Sequence, residues 1–324
     1  MNPYTGTGFI EFFGVLLGRI FSGQLFEGRL MSDEIQLATL LCCSLACGLL
    51  GPFIVLKRLA MFANSLSHTT LLGVVGAFLV SSYFWNGGLE DVSTLLIGAG
   101  VAALLTAALT ELLARAFKQP QDASIGLVFS ALFAIGMTLV TLFTNHAHLG
   151  VEAVMGHPDA LRLTDLKLSA LIACINVCVI ALCHRKLALL AFDESCARVL
   201  GLSVPLWRIA LYVLTTLTCI GAFRAVGVLV VLALLVTPYL TARLFCQRLG
   251  QLLVWTPIVG IVACAVGVAA SRAILSTWGV ALSTSGLIAA VLGVVFVTAL
   301  GVKGLRARIS SRRVVGASIK KLSR

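Results

Sequence analysis

A short polar segment, NSLSHTT (Asn64–Thr70), interrupts the apolar run Leu59–Val80. Asn64 and His68 are four residues apart, so both side chains lie on one face of a helix, with Ser67 beside them. Neutral imidazole and amide oxygen are ligands that manganese, iron and zinc accept. Polar side chains in a membrane helix also form hydrogen bonds with neighbouring helices. The residue types therefore indicate either part of a metal pathway or polar packing, and both interpretations stay open.

Three of the five histidines, His146, His148 and His157, fall in a second polar region further along the chain. Such a group either passes a metal ion onward or forms a polar docking surface without metal, and the sequence does not decide between these. The ten cysteines are scattered through apolar segments without a Cys-x-x-Cys pair. This pattern indicates small buried hydrophobic side chains rather than a metal or redox centre.

The elements that position these residues are apolar and long. Hydrophobic residues make up 59% of the 324 residues and charged residues only 11%, whereas soluble domains contain about 25% charged residues. Eight or nine runs have the length of a membrane-spanning helix, about 20 residues. They cover 36–56, 60–83, 93–114, 124–144, 166–183, 208–223, 226–244, 251–271 and 284–302. The pair after 208 is short and could be one broken segment. The runs do not alternate with period two, which excludes a β-barrel, so we predict an all-α polytopic membrane protein.

The basic residues indicate how the chain is oriented. Eighteen of the 24 Lys and Arg residues, but only four of the 13 acids, fall in alternate connections and in the tail. Basic loops favour the cytoplasmic side, so we expect these connections and the C-terminus to be cytoplasmic. The first apolar stretch, Phe9–Phe21, contains Glu11 and Arg19, which predicts an amphipathic interfacial segment rather than a span. The tail 303–324 has eight basic residues and no acid, which favours a contact with anionic lipid.

One cytoplasmic loop has the pattern of a short amphipathic helix. In LLAFDESCARVLGLSVPLWR (189–208), Asp193 and Glu194 stand at the expected N-terminus, where the helix dipole favours acids. Gly201 is expected to end the helix and Pro205 to prevent its continuation. By itself this pattern also fits an ordinary surface helix.

Four segments, in order, resemble the zinc, manganese and iron ABC transporter permeases. They are GPFIVLKRLAMFANSLSHTTLLGVVGAFL (51–79), MGHPDALRLTDL (155–166), AFDESCARVLGLSV (191–204) and FRAVGVLVVLALLVTPYLTARL (223–244). The resemblance extends from about 36 to 302. It implies an ABC importer permease of the type II, cobalamin-importer-like kind. It also implies that the helix near 192–202 docks on a separate ATPase through Asp193, Glu194, Ala197, Arg198 and Gly201.

The resemblance also bears on the polar segment. The family usually has Asp-x-x-Ser-His here, with the aspartate and the histidine implicated in metal passage. This chain retains Ser67 and His68 but has Asn64 in place of the aspartate. Asparagine offers an oxygen without a charge, so it binds a divalent cation less tightly. Either a different partner permease supplies the aspartate, or this chain binds its metal weakly in the pathway, which is compatible with release of the ion. Gly227 and Pro238, in the late helices, are candidate hinge residues.

These observations predict the membrane permease of an ABC importer for manganese, zinc or iron, working by alternating access. The alternative is an importer of a metal chelate such as a siderophore or haem. We expect no enzymatic activity and no cofactor bound by this chain, since it contains no Gly-x-x-x-x-Gly-Lys-Ser/Thr, and ATP would bind to the partner subunit. The expected partners are the ATPase, an extracytoplasmic metal-binding protein, a second permease chain and membrane lipid, without nucleic acid. The expected location is the bacterial plasma membrane. We predict an interfacial segment at 1–35, a transmembrane domain at 36–302 and a basic cytoplasmic tail at 303–324.

Overall fold

A computed structural model describes residues 4, 8–22, 31–85, 92–143, 161–280 and 282–322. In this part of the chain there are eleven helices and no strand, which confirms the all-helical prediction. The helices are α1 (Phe9–Phe21), α2 (Ser32–Leu56), α3 (Ala60–Trp85), α4 (Val92–Ala116), α5 (Gln121–Phe143), α6 (Leu163–Phe192), α7 (Glu194–Val199), α8 (Val204–Val226), α9 (Val228–Arg243), α10 (Leu249–Trp278) and α11 (Thr284–Leu322). Eight of them are long and apolar enough to cross a membrane: α2 to α6, α8, α10 and α11.

Helix α2 lies at the centre of the bundle and packs against α6, α8, α9 and α10. Its glycines permit this close contact. A Cβ atom on Gly51 would stand 2.5 Å from the Leu235 carbonyl oxygen of α9, and one on Gly48 would stand 2.7 Å from the Pro257 Cα of α10. Small residues at helix contacts let backbones approach each other, which strengthens dispersion attraction where water is absent. The central position of α2 therefore depends on where its small residues fall.

A second group of helices, α3, α4 and α5, packs beside this centre. Gly73 of α3 and Gly98 of α4 face each other so closely that a Cβ atom on either would overlap the backbone of the other. Helix α5 approaches the other side of α3, where Gly136 lies against Leu72. Helix α3, which carries the polar segment, is thus held between two neighbours.

The pair of short apolar runs after 208 forms two helices, α8 and α9, rather than one. The chain breaks at Gly227, whose φ of 89° favours glycine. Helix α9 has 16 residues, which corresponds to about 24 Å, and its far end packs with Tyr239 and Ala242 against Val55 and Leu56 at the end of α2. Helix α9 therefore runs back along the bundle from Gly227 to the end of α2, although it is shorter than the eight helices that are long enough to span a membrane.

Helix α6 is longer than the predicted span, which ended at residue 183. It continues to Phe192 because Leu187 and Leu190 are buried, and Leu190 packs against Ala197 and Val204. At 30 residues it measures about 45 Å, more than the hydrocarbon core of about 30 Å. The extension carries α7 at its end.

Helix α1 is too short to be among the spans and packs against α10. Phe12 is buried, whereas Ile10 is 82% exposed. The Arg19 guanidinium forms an ion pair with Glu34 near the start of α2, at 2.5 Å, and the Tyr4 hydroxyl donates to the same carboxylate at 2.8 Å. The segment is thus attached to the bundle both by its apolar residues, Phe12 among them, and by the ion pair of Arg19.

Candidate metal pathway and coupling site

His68 is half-buried on α3 and faces α5. Its imidazole ring lies 5.4 Å, between centroids, from the rings of both Phe129 and Phe133. Asn64 is also half-buried, one turn earlier on the same helix, whereas Ser67 is fully buried. The partial exposure of Asn64 and His68 leaves both side chains accessible from outside this protomer, and the two phenylalanine rings restrict the orientation of the imidazole.

The hydroxyl groups of the polar segment are bonded within the protein. The Ser67 hydroxyl donates to the Asn64 backbone carbonyl oxygen at 2.6 Å. The Thr70 hydroxyl donates to the Ser67 backbone carbonyl oxygen at 2.9 Å. The Thr106 hydroxyl of α4 donates to the Thr69 hydroxyl at 3.0 Å. The first two bonds lie within α3, and the third joins α3 to α4. Among the predicted pathway residues, Asn64 and His68 are partly exposed and Ser67 is buried.

No group of three or more His, Cys, Asp or Glu side chains that could hold a metal ion occurs among the described residues. Three or four ligands are usual for a tightly bound transition metal, so this face of α3 offers only part of a ligand set. The predicted outer group of His146, His148 and His157 lies outside the described residues.

Two ion pairs join neighbouring helices at the end of the bundle opposite the basic loops, and the sequence did not reveal them. Arg272 of α10 pairs with Asp33 of α2, and Arg224 of α8 pairs with Asp165 of α6 at 3.2 Å. The partners are far apart in the chain, so no local pattern could have indicated them.

The short helix predicted near 192–202 is present as α7. The Asp193 carboxylate caps it by accepting hydrogen bonds from the backbone N–H groups of Ser195 and Cys196, at 2.8 and 3.1 Å. Gly201 ends it with a φ of 77°, and the Leu202 N–H donates to the Ala197 carbonyl oxygen at 3.0 Å, as in a Schellman cap. The predicted range, 192–202, contains this helix and its two caps, but Phe192 still belongs to α6.

The sides of α7 differ in exposure. Ala197 is buried against Leu190 and Val204 and fixes the helix to the bundle. Val199 is 88% exposed, and Phe192 and Leu200 are exposed as well. An exposed apolar group beside a charged, capped helix is a surface suited to protein contact.

Glu194 is the most strongly bonded residue of α7. Its carboxylate accepts a hydrogen bond from the Lys57 ammonium at 2.5 Å and from the Arg208 guanidinium at 2.6 Å. Partial burial acts to raise the pKa of Glu194, but the hydrogen bond from Lys57 and the charges of Lys57 and Arg208 outweigh it and lower the pKa below the ordinary value. Arg198, four residues along, is 4.0 Å from the same carboxylate and largely exposed. From the sequence, Lys57 and Arg208 indicated only the orientation of the chain in the membrane. Their contacts with Glu194 were not predicted.

The two candidate hinge residues lie on one continuous segment. Gly227 forms the break between α8 and α9, and Pro238 is buried within α9. A glycine break and an interior proline are positions at which a helical segment can bend.

Comparison with known proteins adds the family. Residues 31–303 match the model of the ABC 3 transport family. A probable metal transport system membrane protein of Chlamydia trachomatis is 37% identical over 300 residues, 93% of each chain. The manganese transport system membrane protein MntD of Bacillus subtilis is 33% identical, over 81% of this chain and 89% of MntD.

A solved structure shows the same fold. PsaBC from Streptococcus pneumoniae, in complex with a Fab, superposes with a TM-score of 0.68 at 23% identity, covering 87% of this chain and 95% of the PsaBC chain. The family match covers most of the transmembrane region and includes both α3 and α7. The chain therefore belongs to the ABC 3 transport family and is the membrane permease of an ABC transporter.

Proposed function

We propose that this permease serves an ATP-driven importer of a divalent transition-metal ion: manganese, zinc or iron. The observation that carries the proposal is the connection between α7 and α3. Glu194 of α7 holds Lys57, and Lys57 ends α2 three residues before α3 begins. The helix expected to contact the ATPase is thus joined to the helix that presents Asn64 and His68.

The mechanism follows from this connection. ATP binds to a separate ATPase, whose closure displaces α7 through the surface around Asp193, Glu194, Ala197, Arg198 and Gly201. The displacement reaches the inner ends of α2 and α3 through Lys57. Asn64 and His68 then line an ion path that is completed by a second permease chain, since the described residues of one chain offer only a partial ligand set.

The remaining partners and the location follow the same proposal. An extracytoplasmic binding protein delivers the metal, and the region of His146, His148 and His157 is a candidate for its receipt. The membrane is the bacterial plasma membrane, with the loops at Lys57, α7 and Arg243 and the tail 303–324 in the cytoplasm. The segment 1–35 lies at the outer interface, 36–302 is the transmembrane domain, and Gly227 and Pro238 permit bending. Metal-chelate import is less favoured, because the Chlamydia trachomatis and Bacillus subtilis relatives, which match this chain over more of its length than the chelated-iron protein YfeD of Yersinia pestis, are named for metal and manganese transport.

His68→Ala tests this function. We express the permease with its ATPase, binding protein and partner permease in metal-starved cells, and measure accumulated manganese, zinc and iron by elemental analysis. Wild type should accumulate one of the metals. His68→Ala should reduce this accumulation at least about tenfold, because imidazole is the strongest metal ligand of the segment.

His184→Ala is the matched control. His184 is exposed at the far end of α6, so its removal should leave uptake unchanged. Normal uptake by His68→Ala, at equal membrane abundance, would assign the polar segment to helix packing. Absence of metal accumulation by the wild-type transporter would contradict the proposed function itself.

A further inference from the structure

A chain of ion pairs crosses the end of the bundle that carries α7. Lys57 contacts Glu194, Glu194 contacts Arg208, Arg208 contacts Glu111, and Glu111 contacts Arg115. The distances are 2.5, 2.6, 3.1 and 2.7 Å in that order. These residues belong to the end of α2, to α7, to α8 and to α4. Four separate elements are therefore joined by one connected set of charges.

Arg208 occupies the centre of this set. One terminal nitrogen, Nη2, donates to Glu194 Oε2, and the other, Nη1, donates to Glu111 Oε1. A planar guanidinium has donors in fixed directions, so it holds two carboxylates at once, whereas the ammonium of a lysine has no such fork. The Arg208 side chain is 21% exposed and that of Glu111 is 10% exposed. Solvent and salt therefore screen these contacts less than contacts between exposed ions.

The contact with Glu111 extends the link beyond α7. Glu111 lies on α4, and α4 packs against α3 through the glycine pair Gly73 and Gly98. Arg208 thus provides a second connection from α7 towards His68, through α4, in addition to the direct one through Lys57. The two connections reach α3 at its inner end and along its length.

We propose that Arg208 is a positioning residue that ties α4 to the coupling helix, so that α4 follows α7 when the ATPase closes. This proposal rests on the coupling role proposed for α7. Arg208 touches neither the metal nor ATP in this scheme; it acts through Glu194 and Glu111. Isolated surface ion pairs contribute little, but a pair that is mostly buried and shared between helices resists separation.

Three variants test the proposal: Arg208→Gln, Arg208→Lys and Glu111→Gln. Each is made in the full transporter, reconstituted with its ATPase and binding protein. Two quantities are measured: amide hydrogen exchange of residues 194–199, and manganese, zinc or iron taken up per ATP hydrolysed. Arg208→Gln should raise the exchange rate and lower uptake per ATP, each by about tenfold, while ATP hydrolysis itself continues. Arg208→Lys should bring both the exchange rate and the uptake per ATP part of the way back to the wild-type values, because the charge remains.

Glu111→Gln provides the sharper readout, since Glu111 belongs to α4 and reaches α7 only by way of Arg208 in the chain of ion pairs. It should lower uptake per ATP, and the double variant with Arg208→Gln should be no worse than Arg208→Gln alone, because both changes break the same link. Asp122→Asn, a carboxylate change at an exposed position at the start of α5, is the control and should have no effect.

Wild-type exchange of 194–199 together with wild-type uptake per ATP in Arg208→Gln would overturn the proposal. Losses that simply multiply in the double variant would overturn it as well, because the two residues would then act independently. Failure of the wild-type transporter to move metal would contradict the proposed function, whereas the exchange measurement would still decide whether Arg208 holds α7.

Discussion

At the scale of single residues, the proposed metal contact on α3 is expected to depend on Asn64. It offers a neutral amide oxygen one turn from His68, and both side chains are half-buried. A neutral oxygen attracts a divalent cation through its dipole alone, whereas a carboxylate adds a full charge. An ion in transit has to leave the pathway, so weak contacts favour release.

Asn64→Asp should therefore increase the apparent affinity for the transported ion by about tenfold and reduce the maximal rate, because a nearby negative charge holds the cation longer. The measurement is the concentration dependence of metal uptake, which separates KM from kcat.

Asn64→Gln, which retains the amide, serves as the control and should not increase affinity. An unchanged KM in the aspartate variant would show that position 64 does not contact the ion.

Glu194 gives a pH-dependent contribution to stability. The pKa of this carboxyl in the folded protein lies below its ordinary value of 4.5, because the bonds from Lys57 and Arg208 outweigh the effect of burial. Its ion pairs therefore stabilise the folded state fully at pH values above 4.5, and this stabilisation disappears as the pH falls through the lower, folded-state pKa.

Glu194→Gln should narrow the difference in melting temperature between neutral pH and a pH below 4.5, since the amide does not titrate. Thermal unfolding of the detergent-solubilised permease measures this difference. Asp122→Asn should leave the difference close to that of wild type, and an equal difference in Glu194→Gln would show that these ion pairs contribute nothing to stability.

At the scale of elements, the contact between α3 and α4 depends on two glycines. Gly73 and Gly98 face each other across the contact, and neither position has room for a methyl group. Gly76 lies one turn further along α3, with open space around it. Positions 73 and 76 thus differ in the atoms that surround them, while both are glycines within the same helix.

Gly73→Ala should destabilise the permease by about 1–3 kcal/mol, because the added methyl group separates two tightly packed helices. Gly76→Ala should be neutral or slightly stabilising, since alanine favours the helix. Thermal unfolding of both variants in detergent tests the contrast. Equal stability of the two variants would indicate that α3 and α4 can move apart without loss of folding free energy.

At the scale of the whole molecule, the alternating direction of the long helices places the basic loops and α7 at one end of the bundle. The ion pairs that join Lys57, Glu111, Glu194 and Arg208 support this placement directly, because residues from four elements meet there. Helix α9 is short, but it runs from Gly227 to the end of α2 and so continues this alternation.

A C-terminal reporter fusion tests the orientation. Green fluorescent protein fused after Arg324 should fluoresce, and alkaline phosphatase fused at the same residue should be inactive, because the excess of basic residues favours the cytoplasm. A fusion after Trp85, in the first outer connection, should give the opposite results and serves as the control. An active phosphatase at the C-terminus would reverse the proposed topology.

The sequence by itself determined the membrane class, most of the spans, the short helix near 192–202 with its caps, and the family. These features are local, because a bilayer selects apolar runs and charged flanks segment by segment, and a helix cap requires only a few neighbouring residues. The chain also indicated Asn64 and His68 as partners on one face, through helix periodicity alone.

Only the tertiary structure decided which residues meet across helices. Lys57 and Glu194 are 137 residues apart in the chain, and their contact depends on how α2, α6 and α8 pack. The same applies to Arg208 with Glu111 and to the contact between the Thr69 and Thr106 hydroxyls. Each of these depends on long-range packing of small residues and buried side chains, which no local pattern in the sequence encodes.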